Sequence, residues 1–156
     1  MSRPLNLIRF PALWMLAVVT VLLSPPLRAE QKADFDGYEV HYIALPSSFL
    51  KPEIAQRYGI QRSRAIGIVN VSVLRKPESP GQLAKPVDAQ VQGSIVNDIQ
   101  QEVFIPFRRF SEGDAVYYIA EFPFSQRDLL TFKVSALPQG ESQPLNVRFA
   151  QRLYHD

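Results

Sequence analysis

The segment Glu112–Phe124 constrains this chain more than any other. It opens on Gly113-Asp114, a turn pair, and runs through Ala115-Val116-Tyr117-Tyr118-Ile119-Ala120-Glu121-Phe122. Aromatic and β-branched residues suit a pleated strand. Apolar residues occupy both alternating rows, so both faces of this strand must be covered. A strand covered on both sides is central, and the fold around it has layers. Two phases are open for it. Simple alternation turns Val116, Tyr118, Ala120 and Phe122 inward, because Glu121 falls on the other row. The stretch Asp114–Ile119 also matches the tyrosine-corner strand of an immunoglobulin sandwich, with Tyr117 at the corner and Ile119 at the disulfide position. That match turns Ala115, Tyr117 and Ile119 inward.

The other segments supply the partners such a strand needs. Glu30 to Asp36 reads as a loose polar leader. Tyr38 to Leu45 alternates, with Tyr38, Val40, Tyr42 and Ala44 on the inward row. Ala65 to Leu74 is β-branched with apolar residues on both rows. The span 75–86 holds three Pro and Gly81 and reads as a surface loop. Val87 to Ile95 is a half-exposed strand in which Gly93 marks a bulge. Glu102 to Phe110 reads as one strand with Val103, Ile105 and Phe107 on one row, and Pro106 assigns it to an edge. Leu130, Phe132, Val134 and Ala136 share a face. After the turn at Pro138-Gln139-Gly140-Glu141, so do Leu145, Val147, Phe149, Gln151 and Leu153. About seven strands, closely spaced turns and one short helix predict an all-β fold, an immunoglobulin-like antiparallel β-sandwich.

The exception to strand and turn is Pro46–Ile60. Lys51–Tyr58 reads as a helix, with Ser48 as N-cap, Pro52 and Glu53 in the first turn and Gly59 just past the end. A helix this short needs tertiary packing. The expectation is a plug that buries Phe49, Leu50, Ile54 and Tyr58 against the sandwich. The other reading is a mobile lid with Arg57 and Arg62 at its mouth.

Met1–Ala29 reads as a secretory signal peptide. Arg3 and Arg9 form a basic start, Ala12–Leu23 is an uncharged apolar run, and Leu27-Arg28-Ala29 offers a small residue at the cut. The run is shorter than the ~20 residues of a spanning helix, which disfavours an uncleaved anchor. Residues 30–156 then form a single domain. The net charge of +2 comes from 17 basic and 15 acidic residues. Arg3, Arg9 and Arg28 leave with the leader, so the remainder is near neutral and offers no basic face for nucleic acid. The chain has no Cys, and both Met precede residue 16. Burial alone must therefore hold an exported domain together.

Tyr38-Glu39-Val40-His41-Tyr42, Ala44, Pro46-Ser47-Ser48-Phe49-Leu50, Ile54-Ala55, Tyr58-Gly59-Ile60 and Arg62-Ser63 resemble the first half of a family of small exported proteins of Gram-negative bacteria. Glu112 to Phe122 and Val147-Arg148-Phe149 resemble its second half. The family is a domain of unknown function, of the DUF4426 type. The resemblance covers nearly all of the chain beyond the leader. It implies a periplasmic location and carries over no activity, cofactor or catalytic residue.

Candidate chemistry is sparse. The two His are His41 and His155; a metal site would need them to meet a carboxylate such as Asp156. Without Cys or a later Met, soft copper or haem-type ligation is excluded beyond the leader. Ser47 or Ser48 could be set beside His41, but nothing resembles a nucleophile elbow. The expectation is no catalytic residue, no metal and no cofactor. Arg57, Arg62 and Arg64 cluster in sequence, and Arg108-Arg109 could approach them across the sheet, as an anion or carboxylate site. Arg57, Arg62, Arg64 and Arg108, with His41, are the binding candidates. The alternative is a solvated face paired with Glu53, Glu102 and Glu112.

These readings point to a non-enzymatic periplasmic binding or accessory module acting through an envelope protein partner. The alternative is a small-molecule carrier or enzyme with a pocket between the helix at 51–58 and the sheet. The leader makes a direct prediction. Intact mass of the protein from the periplasm is expected to begin at Glu30; a full-length precursor there would refute export with cleavage after Ala29.

Overall fold

The computed structural model describes residues 31–154, so the expected leader, its expected cut after Ala29, His155 and Asp156 lie outside the described residues. The strands are β1 (Gln31–Asp34), β2 (Tyr38–Pro46), β3 (Ile66–Arg75), β4 (Lys85–Pro86), β5 (Ala89–Val96), β6 (Glu102–Ile105), β7 (Arg108–Glu112), β8 (Ala115–Pro123), β9 (Leu129–Pro138) and β10 (Leu145–Arg152). The helix α1 spans Pro52–Tyr58. The first sheet runs β1-β2-β3-β8-β7, with β4 also paired to β3, and the second runs β10-β9-β5-β6. Every pairing is antiparallel.

The fold is an all-β sandwich. Strands β2-β3-β8-β7 against β10-β9-β5 reproduce the four-plus-three order of an immunoglobulin constant-type domain. Strands β1, β4 and β6 are additions at the margins. This order corrects the tyrosine-corner match. The strand that carries a tyrosine corner is the sixth of the seven, which here is β9, whereas Asp114–Ile119 lies on the fifth, β8. Pairing order depends on contacts distant in sequence, which a six-residue likeness does not contain.

Simple alternation is the phase that β8 adopts. Tyr118, Ala120 and Phe122 are buried between the sheets. Ile119 is buried too, on the opposite face. There it joins Ile68 of β3 under Ala55 and Ile60 of the helical segment. Both faces of β8 are therefore covered, one by a sheet and one by the helix.

Four expectations about local structure are corrected. Residues 31–34 are not loose: β1 pairs with β2 from Gln31↔Tyr42 to Asp34↔Glu39, and the polar residues of β1 suit an exposed edge. The span 75–86 contains the short β4, so it is not wholly loop, and the strands number ten among the described residues. Glu102–Phe110 is two strands, β6 in the second sheet and β7 in the first. Pro106, which has no N–H to donate, sits at the crossing between them. Gly93 is no bulge, since it stays in register with both Ile105 and Val134. A Cβ on Gly93 would lie 2.7 Å from the Lys133 carbonyl oxygen and 3.1 Å from the ring of Phe107. Glycine is needed so that β9 and the crossing segment can approach.

The 46–60 segment is also built differently. Ser47–Phe49 forms a 3-10 turn, and α1 starts only at Pro52 with Lys51 as a cap that makes no side-chain bond. Ser48 is thus too far upstream to cap it. The hydroxyl that matters is that of Ser47, which is fully buried. It lies 2.8 Å from the Gln61 carbonyl oxygen and accepts from the Ser63 N–H at 2.9 Å. This clasp closes the segment at its base. Gly59 ends the helix in the left-handed region at φ 60°. Ala55 and Ile60 are the residues fully packed onto the sheet, while Leu50 and Tyr58 are half-buried beside them. Phe49 is 62% exposed and does not plug anything.

Gly93→Ala is expected to destabilise the domain by about 1–3 kcal/mol, because the oxygen it meets belongs to a paired backbone that cannot swing away. Urea unfolding of the two proteins checks this; an unchanged midpoint would contradict the steric account.

Candidate functional site

The helix brings two of the five sequence candidates together. Arg57, in its last turn, ion-pairs with Glu112 at the end of β7. Tyr58 donates its hydroxyl to the same carboxylate at 2.9 Å. Burial, then the Glu112 carboxylate, raises the Tyr58 hydroxyl above its ordinary pKa. Arg108 of β7 donates to the Tyr58 carbonyl at 3.2 Å and to Glu121 at 2.7 Å. Its guanidinium also lies 5.2 Å over the Phe110 ring, which packs 4.8 Å from Tyr58. The patch is a stack of aromatic rings and cations in which both arginines are already neutralised. An incoming anion would have to displace Glu112 or Glu121.

The other three candidates stand apart. Arg62 turns back to donate to the Ser48 carbonyl at 2.8 Å. Arg64 is exposed and ion-pairs with no described residue. His41 is on β2, and its Nε2 lies 3.1 Å from Glu39. Hydrogen bonds from His41 and Lys32 hold the Glu39 carboxyl below the ordinary carboxylate range. Among the described residues, no three His, Cys, Asp or Glu side chains are grouped to hold a metal.

Two grooves are better placed to bind. The first, of about 380 Å³, lies where the end of β2 faces the end of β10. Ile43, Leu45, Phe49, Arg152, Leu153 and Tyr154 contribute to its walls. Phe49 and Tyr154 are 62% and 52% exposed. β1 pairs with β2 only as far as Tyr42, so Ile43–Pro46 have no β1 partner among the described residues. The second groove, of about 400 Å³, crosses the outer face of the second sheet and is walled by Phe104. Phe104 was legible in principle. With Val103, Ile105 and Phe107 on the inward row, it falls on the outward one, where a large ring is unusual.

A family model for the domain of unknown function DUF4426 matches residues 32–156. The chain belongs to that family. The crystal structure of a DUF4426 protein from Pseudomonas aeruginosa PAO1 is 35% identical, with a TM-score of 0.70 over 83% of this chain and 98% of that one. FetP from uropathogenic Escherichia coli strain F11, as isolated, superposes with a TM-score of 0.55 at 11% identity, covering 81% of this chain and 95% of FetP. A copper-bound FetP variant gives 0.56 at 11%, covering 81% and 91%. At that identity the FetP likeness concerns the fold alone. No curated protein matches the chain.

One pair bordering the second groove has a pH signature. Glu102 accepts from Ser94 Oγ at 2.5 Å and from Lys133 Nζ at 3.1 Å on each carboxylate oxygen. The Ser94 hydrogen bond first, and Lys133 second, hold its carboxyl below the ordinary range. A depressed carboxyl contributes stability above the unfolded pKa of ~4.3 and loses it as pH falls through the folded value. The stability difference between the native protein and Glu102→Gln is therefore expected to be constant near neutrality and to shrink below about pH 4. Urea unfolding from pH 7 to 3 measures it; a difference that grows in acid would reverse the assignment.

Proposed function

We propose that the domain is a non-enzymatic binding or accessory module of the bacterial envelope that acts through a protein partner. The observation that carries this reading is the groove at Phe49. The Phe49 ring stands in water, beside a stretch of β2 that is paired to β3 on one side and has no β1 partner among the described residues on the other. An extended segment of another protein can add to such an edge by main-chain hydrogen bonds and place alternate apolar side chains in the groove. Export supports the same reading, through the leader at 1–29 and the exported character of the family that the chain resembles. Neither points to an enzyme, and the near-neutral remainder does not suit nucleic acid.

A small-molecule pocket between α1 and the sheet has less support. Ala55, Ile60, Ile68 and Ile119 fill that space. Copper, which the FetP variant binds, is not proposed here. Beyond the leader this chain has neither Cys nor Met, and the grouping of ligands that copper requires is absent among the described residues.

The test uses a photo-crosslinking residue at position 49, with position 64 as an exposed control, in cells that export the protein. A discrete protein adduct is expected at 49 and not at 64. Phe49→Ala is expected to leave stability within about 0.5 kcal/mol while abolishing co-purification of that partner. Identical adduct patterns at the two positions would remove the basis for the reading.

A further inference from the structure

The groove on the outer face of the second sheet has an order that its residues do not reveal in sequence. Register places Phe104, Ser94, Lys133 and Arg148 directly beside one another, one from each of β6, β5, β9 and β10. A second row on the same face runs Gln92, Ser135, Asn146. The first row ends in an aromatic ring that is 82% exposed. Three strand spacings away, on the order of 14 Å, it ends in the guanidinium of Arg148.

The charges along this face are unequal in what they offer. Lys133 and the Ser94 hydroxyl are both spent on Glu102. Arg148 is exposed and pairs with no described residue. The side chains of Gln92, Ser135 and Asn146 likewise hydrogen-bond to no described residue. From one end to the other the face therefore presents an apolar ring, neutral donors and acceptors, and a cation, Arg148, that no described residue compensates.

The backbone beneath is closed to recognition. β9 is paired on both sides, to β5 and to β10. An added peptide strand, which binds through its main chain, gains nothing on such a face. The face instead suits a ligand that lies flat, offers many hydroxyl or amide groups to side chains, stacks an apolar ring face and carries a carboxylate. Those are the properties of an acidic oligosaccharide. We propose that this groove is a carbohydrate site for uronic-acid-type or otherwise carboxylated glycans. Phe104 stacks on a sugar ring, Gln92, Ser135 and Asn146 bond its hydroxyls, and Arg148 pairs with the carboxylate. The groove is separate from the one at Phe49, and the inference does not rest on the partner reading.

The experiment uses the protein as an exporting host processes it. It is titrated with an oligouronate, a neutral chito-oligosaccharide of equal length and an acidic peptide, and followed by amide NMR. The oligouronate is expected to shift the amides of 92–94, 133–135 and 146–148 and to bind more tightly than the neutral sugar. Arg148→Gln is expected to cost about tenfold in oligouronate affinity and little for the neutral sugar, since it removes a hydrogen bond to a charged group. Phe104→Ala is expected to weaken both. Phe49→Ala is expected to change neither, which separates failure here from failure of the partner reading. Both Phe104 and Arg148 are exposed, so loss of folding does not confound the variants. The proposal is overturned if no sugar shifts those amides at millimolar concentration, if the peptide alone does so, or if Phe104→Ala binds as the native protein does.

Discussion

Rings hold the two sheets together. Phe122 of β8 meets Phe132 of β9 edge-on at 5.2 Å, and Phe132 stacks on Phe149 of β10 at 4.8 Å. Phe149 in turn stacks on Tyr42 of β2 at 4.4 Å. The chain of contacts thus leaves the first sheet, crosses the second and returns to the first. Phe132 is fully buried, and complete burial of such a side chain contributes about 1.5–3 kcal/mol. In a domain without Cys, this aromatic column does what a cross-sheet disulfide does in other sandwiches. Gly67 shows how tight it is: a Cβ there would stand 2.5 Å from the Phe122 ring.

Polar ties close one end of the same interior. Tyr118 accepts from the Ala89 N–H at 2.7 Å, so a residue of the first sheet satisfies the backbone of the second. Arg109 of β7 donates to Asp88 at 2.6 Å, just before β5 begins. Tyr38 of β2 donates to Glu141 at 2.7 Å in the turn between β9 and β10. These contacts link the sheets where the aromatic column does not reach. They leave the outer face of each sheet to other residues. On the first sheet the helix occupies that space. On the second sheet the face stays open.

Much of the strand content was legible in the residues. Period-2 alternation places Leu130, Phe132, Val134 and Ala136 inward, and all four are buried. The double apolar row of 115–122 announced covering on both sides, and the helix supplies the second cover. The binding surfaces were less legible. The cluster Arg57, Arg62, Arg64 is adjacent in sequence, yet its members diverge to Glu112, to the Ser48 carbonyl and to solvent. The row Phe104, Ser94, Lys133, Arg148 is distant in sequence and adjacent in space. Nothing local couples residue 94 to residue 148; only the register of two strand pairs does.

By itself the sequence determined that the chain is a β protein with a short helical insert and an interior held by burial rather than disulfides. Those properties follow from periodicity and composition, which are local. Tertiary structure decided the rest. It split Glu102–Phe110 between two sheets, because β5 and β8 each offered half of it a partner. It set β8 as the fifth strand of the sandwich, because order is a matter of pairing. It exposed Phe49, because the Ser47 clasp and the packing of Ala55 and Ile60 turn that ring away from the sheet. In each case the deciding energy came from residues far apart in the chain, and alternation along one strand carries no record of its neighbour.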